Sequence, residues 1–314
     1  MKNKNLKASS ILLLAAAIWG FAFVAQRIGS KYLGAFSFNG IRFALGGISL
    51  LPLILLRRKS DPETTDGLPS PGASSAGNLS SKFPSSALAA GCIAGGVLFA
   101  AASLQQIGLS ETSAGKAAFI TGLYIVLVPI FGIPLKHKIH SNVWAGAVAA
   151  AAGLYLLSIT EDFSVARGDF LEFLGAIFWA VHILLIDYFT KRVDALKLSF
   201  FQFMTCSVLS LITASAFESI TLAGISQAAI PLLYGGLLSV GVAYTLQVIG
   251  QKDAKPSHAA IVLSMEAVFA SLGGFMILNE NLGLRGYIGC ALMLLGMIIS
   301  QLQLPGKRET ALNG

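Results

Sequence analysis

SLQQIG (Ser103–Gly108) and TLQVIG (Thr245–Gly250) are two copies of one motif set 142 residues apart. The same offset carries Ala117 and Ala118 onto Ala259 and Ala260, and Gly132 onto Gly274. Nearer the start, AAAIWG (Ala15–Gly20) resembles GAIFWA (Gly175–Ala180), with Trp19 over Trp179 at an offset of 160, and FSF (Phe36–Phe38) recurs as LSF (Leu198–Phe200). The longer first half, with its extra segment after residue 59, accounts for the shrinking offset. The chain therefore reads as a duplication, with one copy in residues 1–165 and the other in 166–314.

Composition says what kind of protein is duplicated. Of the 314 residues 55% are apolar and only 12% charged, with a mean hydropathy of +0.74, whereas soluble domains carry about 25% charged residues. A soluble enzyme, a nucleic-acid-binding domain and a disordered chain are excluded, and a polytopic membrane protein remains. The 33 glycines suit close helix packing in lipid. The net charge of +7 lies in short segments between apolar runs, so it reads as topology and no nucleic-acid partner is expected. Cys92, Cys206 and Cys290 lie inside apolar runs with neither disulfide nor zinc spacing.

A membrane-crossing helix needs about 20 mostly apolar residues. Ten runs qualify, at residues 8–26, 36–56, 85–104, 114–135, 142–159, 169–189, 197–217, 227–249, 257–278 and 284–303. No two-residue alternation suggests strands, and an open sheet edge cannot sit in lipid. The expected class is therefore an all-α membrane protein with ten transmembrane helices. Residues 60–83, rich in Ser, Pro and Gly, read as a flexible cytoplasmic loop. Lys2, Lys4 and Lys7 precede the first run as they would in a signal peptide, but the run's counterpart in the second half assigns it to the fold.

Lysines and arginines gather on the cytoplasmic side of membranes. With both termini cytoplasmic, sixteen of the 22 fall in inside segments and five in outside ones, while Arg42 lies within a span. Five spans per copy is an odd number, so the second copy enters the membrane upside down. The charges follow. Arg57-Arg58-Lys59 corresponds to a segment holding Glu218 and no cation, Lys136–Lys138 to Asn279–Asn281, and the segment of Glu111 to that of Lys252 and Lys255. Inverted repeats of this kind are a signature of secondary transporters, whose substrate site lies at the repeat interface near mid-bilayer.

The chain resembles the EamA-domain proteins of the drug/metabolite transporter superfamily. The resemblance is carried by AAAIWGFAFVAQRIG from Ala15, NGIRFALGGISLLPL from Asn39, VLVPIFGIPLKHKIHSNVWAGAVAAAAGLYLL from Val126 and EAVFASLGGFMILNENLGLRGYIGCALMLLGMI from Glu266. It covers nearly the whole chain. It implies a ten-helix inverted-repeat transporter in the cell membrane that exports an amino acid or another small metabolite. Where such relatives often have Glu-Pro, this chain has Glu266-Ala267.

Polar side chains inside the spans are the candidate substrate contacts. Glu266 lies about 13–14 Å along its span, near mid-bilayer, and its partner by the 142-residue offset is Tyr124. These two are expected to meet, with Glu266 holding an amino group or carrying a proton. Arg42, about 9 Å from the outer end of its span, is a carboxylate contact or a structural anchor whose stem can snorkel to the surface, with Asn39 one turn away on the same face. Trp19 and Gln26 share a face of the first span, and Trp179 and His182 share a face of the sixth. The two tryptophans, equivalent by repeat, would form flat walls for an amphiphilic or cationic ligand. Gln105 and Gln247 are the paired glutamines of the repeated motif, and Tyr244, Gln247 and Gln251 recur at helical spacing. The cavity is expected between spans 1, 3, 4, 6, 8 and 9. No metal or cofactor motif appears, nor any nucleotide-binding loop, so no cofactor is expected and a gradient must supply the energy. The partners expected are a small-molecule substrate and the lipid bilayer. The competing readings are a membrane sensor or scaffold that does not transport, and an importer of a nucleotide sugar or other metabolite. Gly289 and Gly296, seven apart, suit helix packing within one chain or between two, which leaves the oligomeric state open.

Overall fold

The computed structural model describes residues 2–60, 86–111, 114–136, 139–158, 167–278 and 283–301. Inside a bilayer no water satisfies backbone N–H and C=O groups, so each apolar run must bond to itself as a helix. The helices are α1 (Lys2–Gly29), α2 (Ala35–Ser60), α3 (Ala87–Glu111), α4 (Ala114–Gly122), α5 (Tyr124–Gly132), α6 (Ser141–Ser158), α7 (Arg167–Thr190), α8 (Ala195–Phe217), α9 (Leu222–Gln227) and α10 (Ala229–Leu233). A π-helical segment (Tyr234–Tyr244) leads into α11 (Thr245–Gln251), followed by α12 (Pro256–Leu263), α13 (Glu266–Leu278) and α14 (Gly283–Gln301). There is no strand among the described residues.

Eight helical stretches among the described residues are long and apolar enough to cross a membrane. The fourth and fifth expected runs correspond to two shorter apolar helices, Ile120–Gly132 and Ser141–Leu156. The runs at 114–135 and 257–278 are each divided in two. The expected 60–83 loop lies outside the described residues from Asp61 onward, as do His137, Lys138 and Asn279–Asn281.

Helices equivalent by the sequence offsets pack on one another: α2 against α8, and α6 against α14. The cross-pairs are reciprocal, with α3 against α7 matching α1 against the π segment. The seven-residue glycine spacing is used inside this chain. A Cβ added at Gly146 of α6 would stand 2.6 Å from the Gly296 carbonyl oxygen, one at Gly296 2.6 Å from that of Gly146, and one at Gly153 2.5 Å from that of Gly289. The two backbones touch along two turns, as small residues allow in lipid.

Helix starts in the bilayer leave N–H groups without partners. At the start of α8, Asp194 accepts from the N–H groups of Leu196 and Lys197, both at 3.0 Å. The start of α2 is capped from across the fold: Glu218, just past α8, accepts from Phe36 N at 2.9 Å, Ser37 N at 2.7 Å and Ser37 Oγ at 2.6 Å. A carboxylate there also meets the positive end of the helix dipole. At the end of α7, Lys191 donates to both oxygens of Asp187, at 2.8 and 2.9 Å.

Two stability measurements check this account. Gly153→Leu is expected to lower the detergent melting temperature, because overpacking costs about 1–3 kcal/mol. Gly96→Ala, whose new methyl meets nothing within 4 Å, should leave it unchanged or raise it. Glu218→Ala should cost about 1–2 kcal/mol through the lost cap, with Glu218→Asp recovering part of that loss.

Candidate functional site

α4 and α5 are two halves of one helix, broken at Leu123, and α12 and α13 are two halves of another, broken at Ser264 and Met265. By the 142-residue offset Leu123 falls on Met265, so the breaks occupy equivalent places. The first follows Gly122, a poor helix residue. At the second, Ser264 Oγ donates to the carbonyl of Ile261 at 2.8 Å, a local bond that competes with the helix ladder. Both breaks tighten to bonds three residues apart: Leu123 N to Ile120 O at 3.1 Å and Val126 N to Leu123 O at 3.0 Å, Met265 N to Val262 O at 3.2 Å and Ala267 N to Ser264 O at 3.1 Å. Interrupted helices at corresponding positions of two halves point to a binding site.

The residue that restarts each helix faces the other. The Tyr124 hydroxyl, at the first position of α5, donates to Glu266 Oε1, at the first position of α13, at 2.8 Å. Both side chains are buried. They line a cavity of about 40 Å³, room for a few waters, with walls from α1, α2, α3, α4, α5, α7, the π segment, α11, α12 and α13.

Nine of the eleven side chains selected from sequence line this cavity: Trp19, Gln26, Arg42, Gln105, Tyr124, Trp179, Tyr244, Gln247 and Glu266. Tyr244 is the centre of an aromatic cluster. Its ring centroid is 4.6 Å from that of Trp19 and 6.0 Å from that of Trp179, and 5.8 and 5.9 Å from those of Phe43 and Phe203. Trp19 is held in place by its indole N–H, which donates to the Ser239 carbonyl at 3.2 Å.

Arg42 does not snorkel; it is 1% exposed. Its Nε donates to Asn39 Oδ1 at 2.9 Å, and its guanidinium carbon sits 5.0 Å from the centroid of Phe43 and 5.7 Å from that of Phe38. No carboxylate among the described residues lies within ion-pair distance of it, and its Nη2 has no hydrogen-bond partner. Gln26 Oε1, Trp179 Nε1 and Gln247 Oε1 are likewise buried without partners. Native interiors rarely leave such groups unpaired.

Asn39 and His182 stand behind the cavity wall, a correction to the expected lining. Asn39 is committed between helices, donating to the Ala102 carbonyl at 3.0 Å while accepting from Arg42. His182 bonds through Nε2 to Gln202 Oε1 at 2.9 Å and meets Trp179 edge-on at 6.0 Å. Gln251 also leaves the cavity, donating to the Ile183 carbonyl at 3.0 Å.

Sequence reasoning missed Ser239, which lines the cavity together with Tyr244. The two are five apart, out of register on an α-helix but stacked on a π-helix with its i→i+5 repeat. Thr121 was missed as well; it lies one turn before Tyr124 and was readable from that spacing. Glu172, buried in α7, was missed although it is an ionisable residue inside an apolar run. A wider cleft of about 430 Å³ opens where Lys136, Lys191, Lys252 and Lys255 gather with Asp187 and Asp253.

Known proteins resemble the chain over most of its length. An uncharacterized transporter of Archaeoglobus fulgidus is 30% identical over 305 residues, 96% of this chain and 87% of that protein. The uncharacterized transporter YoaV of Bacillus subtilis is 22% identical over 299 residues, 92% of this chain and 94% of its own. A crystal structure at 19% identity superposes with a TM-score of 0.76, over 95% of this chain and 99% of that one, a likeness that shows the fold alone. The pattern of the EamA-like transporter family matches twice, over residues 6–159 and 166–301, and the chain belongs to that family of multi-pass membrane transporters.

Proposed function

We propose that the protein is a secondary transporter that exports an amino acid or related polar compound by alternating access. In this reading it has ten spans in two inverted five-helix halves, residues 1–165 and 166–314, with both termini cytoplasmic. The offset-related breaks and the reciprocal helix pairings support the inversion. Two halves of opposite orientation have similar inward-open and outward-open packings, so the molecule can exchange them at small energetic cost.

The observation that carries the substrate class is a pair of opposite charges in one cavity. Arg42 offers an unpaired guanidinium nitrogen, and Glu266 offers a carboxylate touched by one tyrosine hydroxyl. A buried unpaired charge is strongly unfavourable unless a partner arrives. A zwitterion supplies both partners: its carboxylate for Arg42 by charge-assisted hydrogen bonds, its ammonium for Glu266. The aromatic walls of Trp19, Trp179 and Tyr244 then cover the apolar part and suit the cationic end. At about 40 Å³ the cavity is too small for an organic solute, so loading requires movement. The two helix breaks and the π segment are the places where the backbone can yield. The wider lysine-lined cleft lies on the face that the charge bias assigns to the cytoplasm, the side from which an exporter loads.

The test is flux in proteoliposomes, with solutes chosen by asking which amino acids cells come to tolerate when they express the protein. Glu266→Gln is expected to lower flux roughly 10- to 100-fold, the equivalent of a charged contact worth about 1.5–3 kcal/mol. Ile125→Val, equally buried but outside the cavity, should leave it intact. Arg42→Lys should raise the half-saturating concentration of the amino acid while leaving that of its decarboxylated amine nearly unchanged. Absence of flux for every solute in the wild-type protein would sink the transport reading in favour of a sensor or scaffold.

A further inference from the structure

Two buried carboxylates are held by one helix. Tyr124 holds Glu266, and one turn earlier Thr121 Oγ1 donates to Glu172 Oε2 at 2.9 Å. Residues three apart share a helix face, so the two hydroxyls form a short polar ladder on either side of the Leu123 break. Thr121 reaches the central cavity and Glu172 does not; the carboxyl of Glu172 stands one hydrogen bond behind the wall. It lies about 7–8 Å from the start of α7, has no exposed surface, and its second oxygen, Oε1, has no hydrogen-bond partner.

The surroundings make room for this acid. A Cβ at Gly108 of α3 would stand 2.8 Å from Glu172 Cγ and 2.9 Å from the Gly168 carbonyl oxygen, so the side chain fits only because residue 108 is glycine. Asp169 on its own helix and Glu266 beyond Thr121 act on it electrostatically. Tyr124 is engaged with Glu266. Arg27, at the end of α1, donates to the Leu109 carbonyl at 3.2 Å. At the mouth of α7, Arg167 stands 3.7 Å from Glu111. Packing alone does not require an acid here, because an apolar residue would fill the space without a bare oxygen.

We propose that Glu172 is a proton-binding site of the transport cycle, separate from the substrate contact Glu266 and joined to the cavity through Thr121. This rests on the transporter reading above. The proton comes from water on one face of the membrane, bonds to Oε1 while Thr121 continues to donate to Oε2, and is returned to water on the other face. No other bond is made or broken. A carboxylic acid crosses a dry, sealed intermediate far more cheaply than a carboxylate, so proton occupancy gates the change of access. The hydroxyl of Thr121, shared between the acid and the cavity wall, is where solute binding is sensed.

The test uses the full chain in proteoliposomes loaded with the pH dye pyranine. The probe is whichever neutral radiolabelled amino acid gives the strongest wild-type counterflow. Counterflow, with amino acid on both sides and no pH gradient, needs no net proton movement; accumulation driven by a pH gradient does. Glu172→Gln is expected to keep counterflow within about twofold while losing gradient-driven accumulation and the amino-acid-dependent pyranine signal by roughly tenfold or more. Glu266→Gln should lose both modes. Glu172→Asp, which keeps an acid one methylene shorter, should retain coupling with a displaced pH profile. Gradient-driven accumulation in Glu172→Gln at the wild-type level would overturn the proposal, as would wild-type accumulation driven by sodium with no pyranine response. A well-folded, monodisperse Glu172→Gln or Glu172→Asp without counterflow would show that the acid is structural, and would also overturn it. Wild-type protein with no counterflow for any amino acid defeats the amino-acid reading on which the proposal rests, a separate result from wild-type exchange with normal coupling in Glu172→Gln.

Discussion

The hydrogen bond between Tyr124 and Glu266 joins the starts of two half-helices in the interior of a membrane protein. Each residue begins a helix because the preceding one has stopped: at Leu123 in one case, at Ser264 and Met265 in the other. In lipid a broken helix is tolerated only where protein or a polar cavity shelters the freed backbone. The breaks, the cavity and the tyrosine–glutamate bond therefore require one another. α1, α3, α7 and the π segment close around that point, and the aromatic cluster on Tyr244 lines one wall.

Stability alone would not choose this interior. Arg42 without a carboxylate, Trp179 and Gln247 with free polar atoms, and Glu172 with a bare oxygen all lie where apolar side chains would pack without penalty. The strain is offset elsewhere. α6 and α14 meet glycine to glycine, and α2 has its first turn capped by a carboxylate from beyond α8. A well-packed periphery around an under-satisfied centre is the pattern of a fold that keeps its polar capacity for something that comes and goes.

The parts of the fold legible in sequence share one physical origin. Lipid imposes a length and an apolarity on each span, so residues 36–56 and 197–217 can be read directly, and they become α2 and α8. Mid-span polar residues are rare enough to stand out and the repeat pairs others with them, and nine of the eleven side chains chosen on those grounds line a common cavity. The exceptions failed for local reasons. Asn39 and His182 are polar and mid-span, but each found a partner inside the bundle and turned away from the cavity. Which neighbour satisfies a buried amide or imidazole depends on helix rotation and packing, and no spacing rule encodes these.

Ser239 and Gln251 show the same limit on two successive elements. An α-helical period leaves Ser239 aside from Tyr244, and the π segment brings it to the cavity by changing which residues share a face, whereas Gln251, on the regular α11, is drawn off by the Ile183 carbonyl. From the amino-acid order alone come the helices, their duplication, and the residue types that had to be excluded from lipid. Tertiary packing alone decided where two helices break, which backbone widens, and that Glu172 stands one hydroxyl behind the cavity rather than in it. The bilayer acts on each segment separately and so leaves its mark in local composition. Hydrogen-bond partners between helices are chosen only once all the helices are in place.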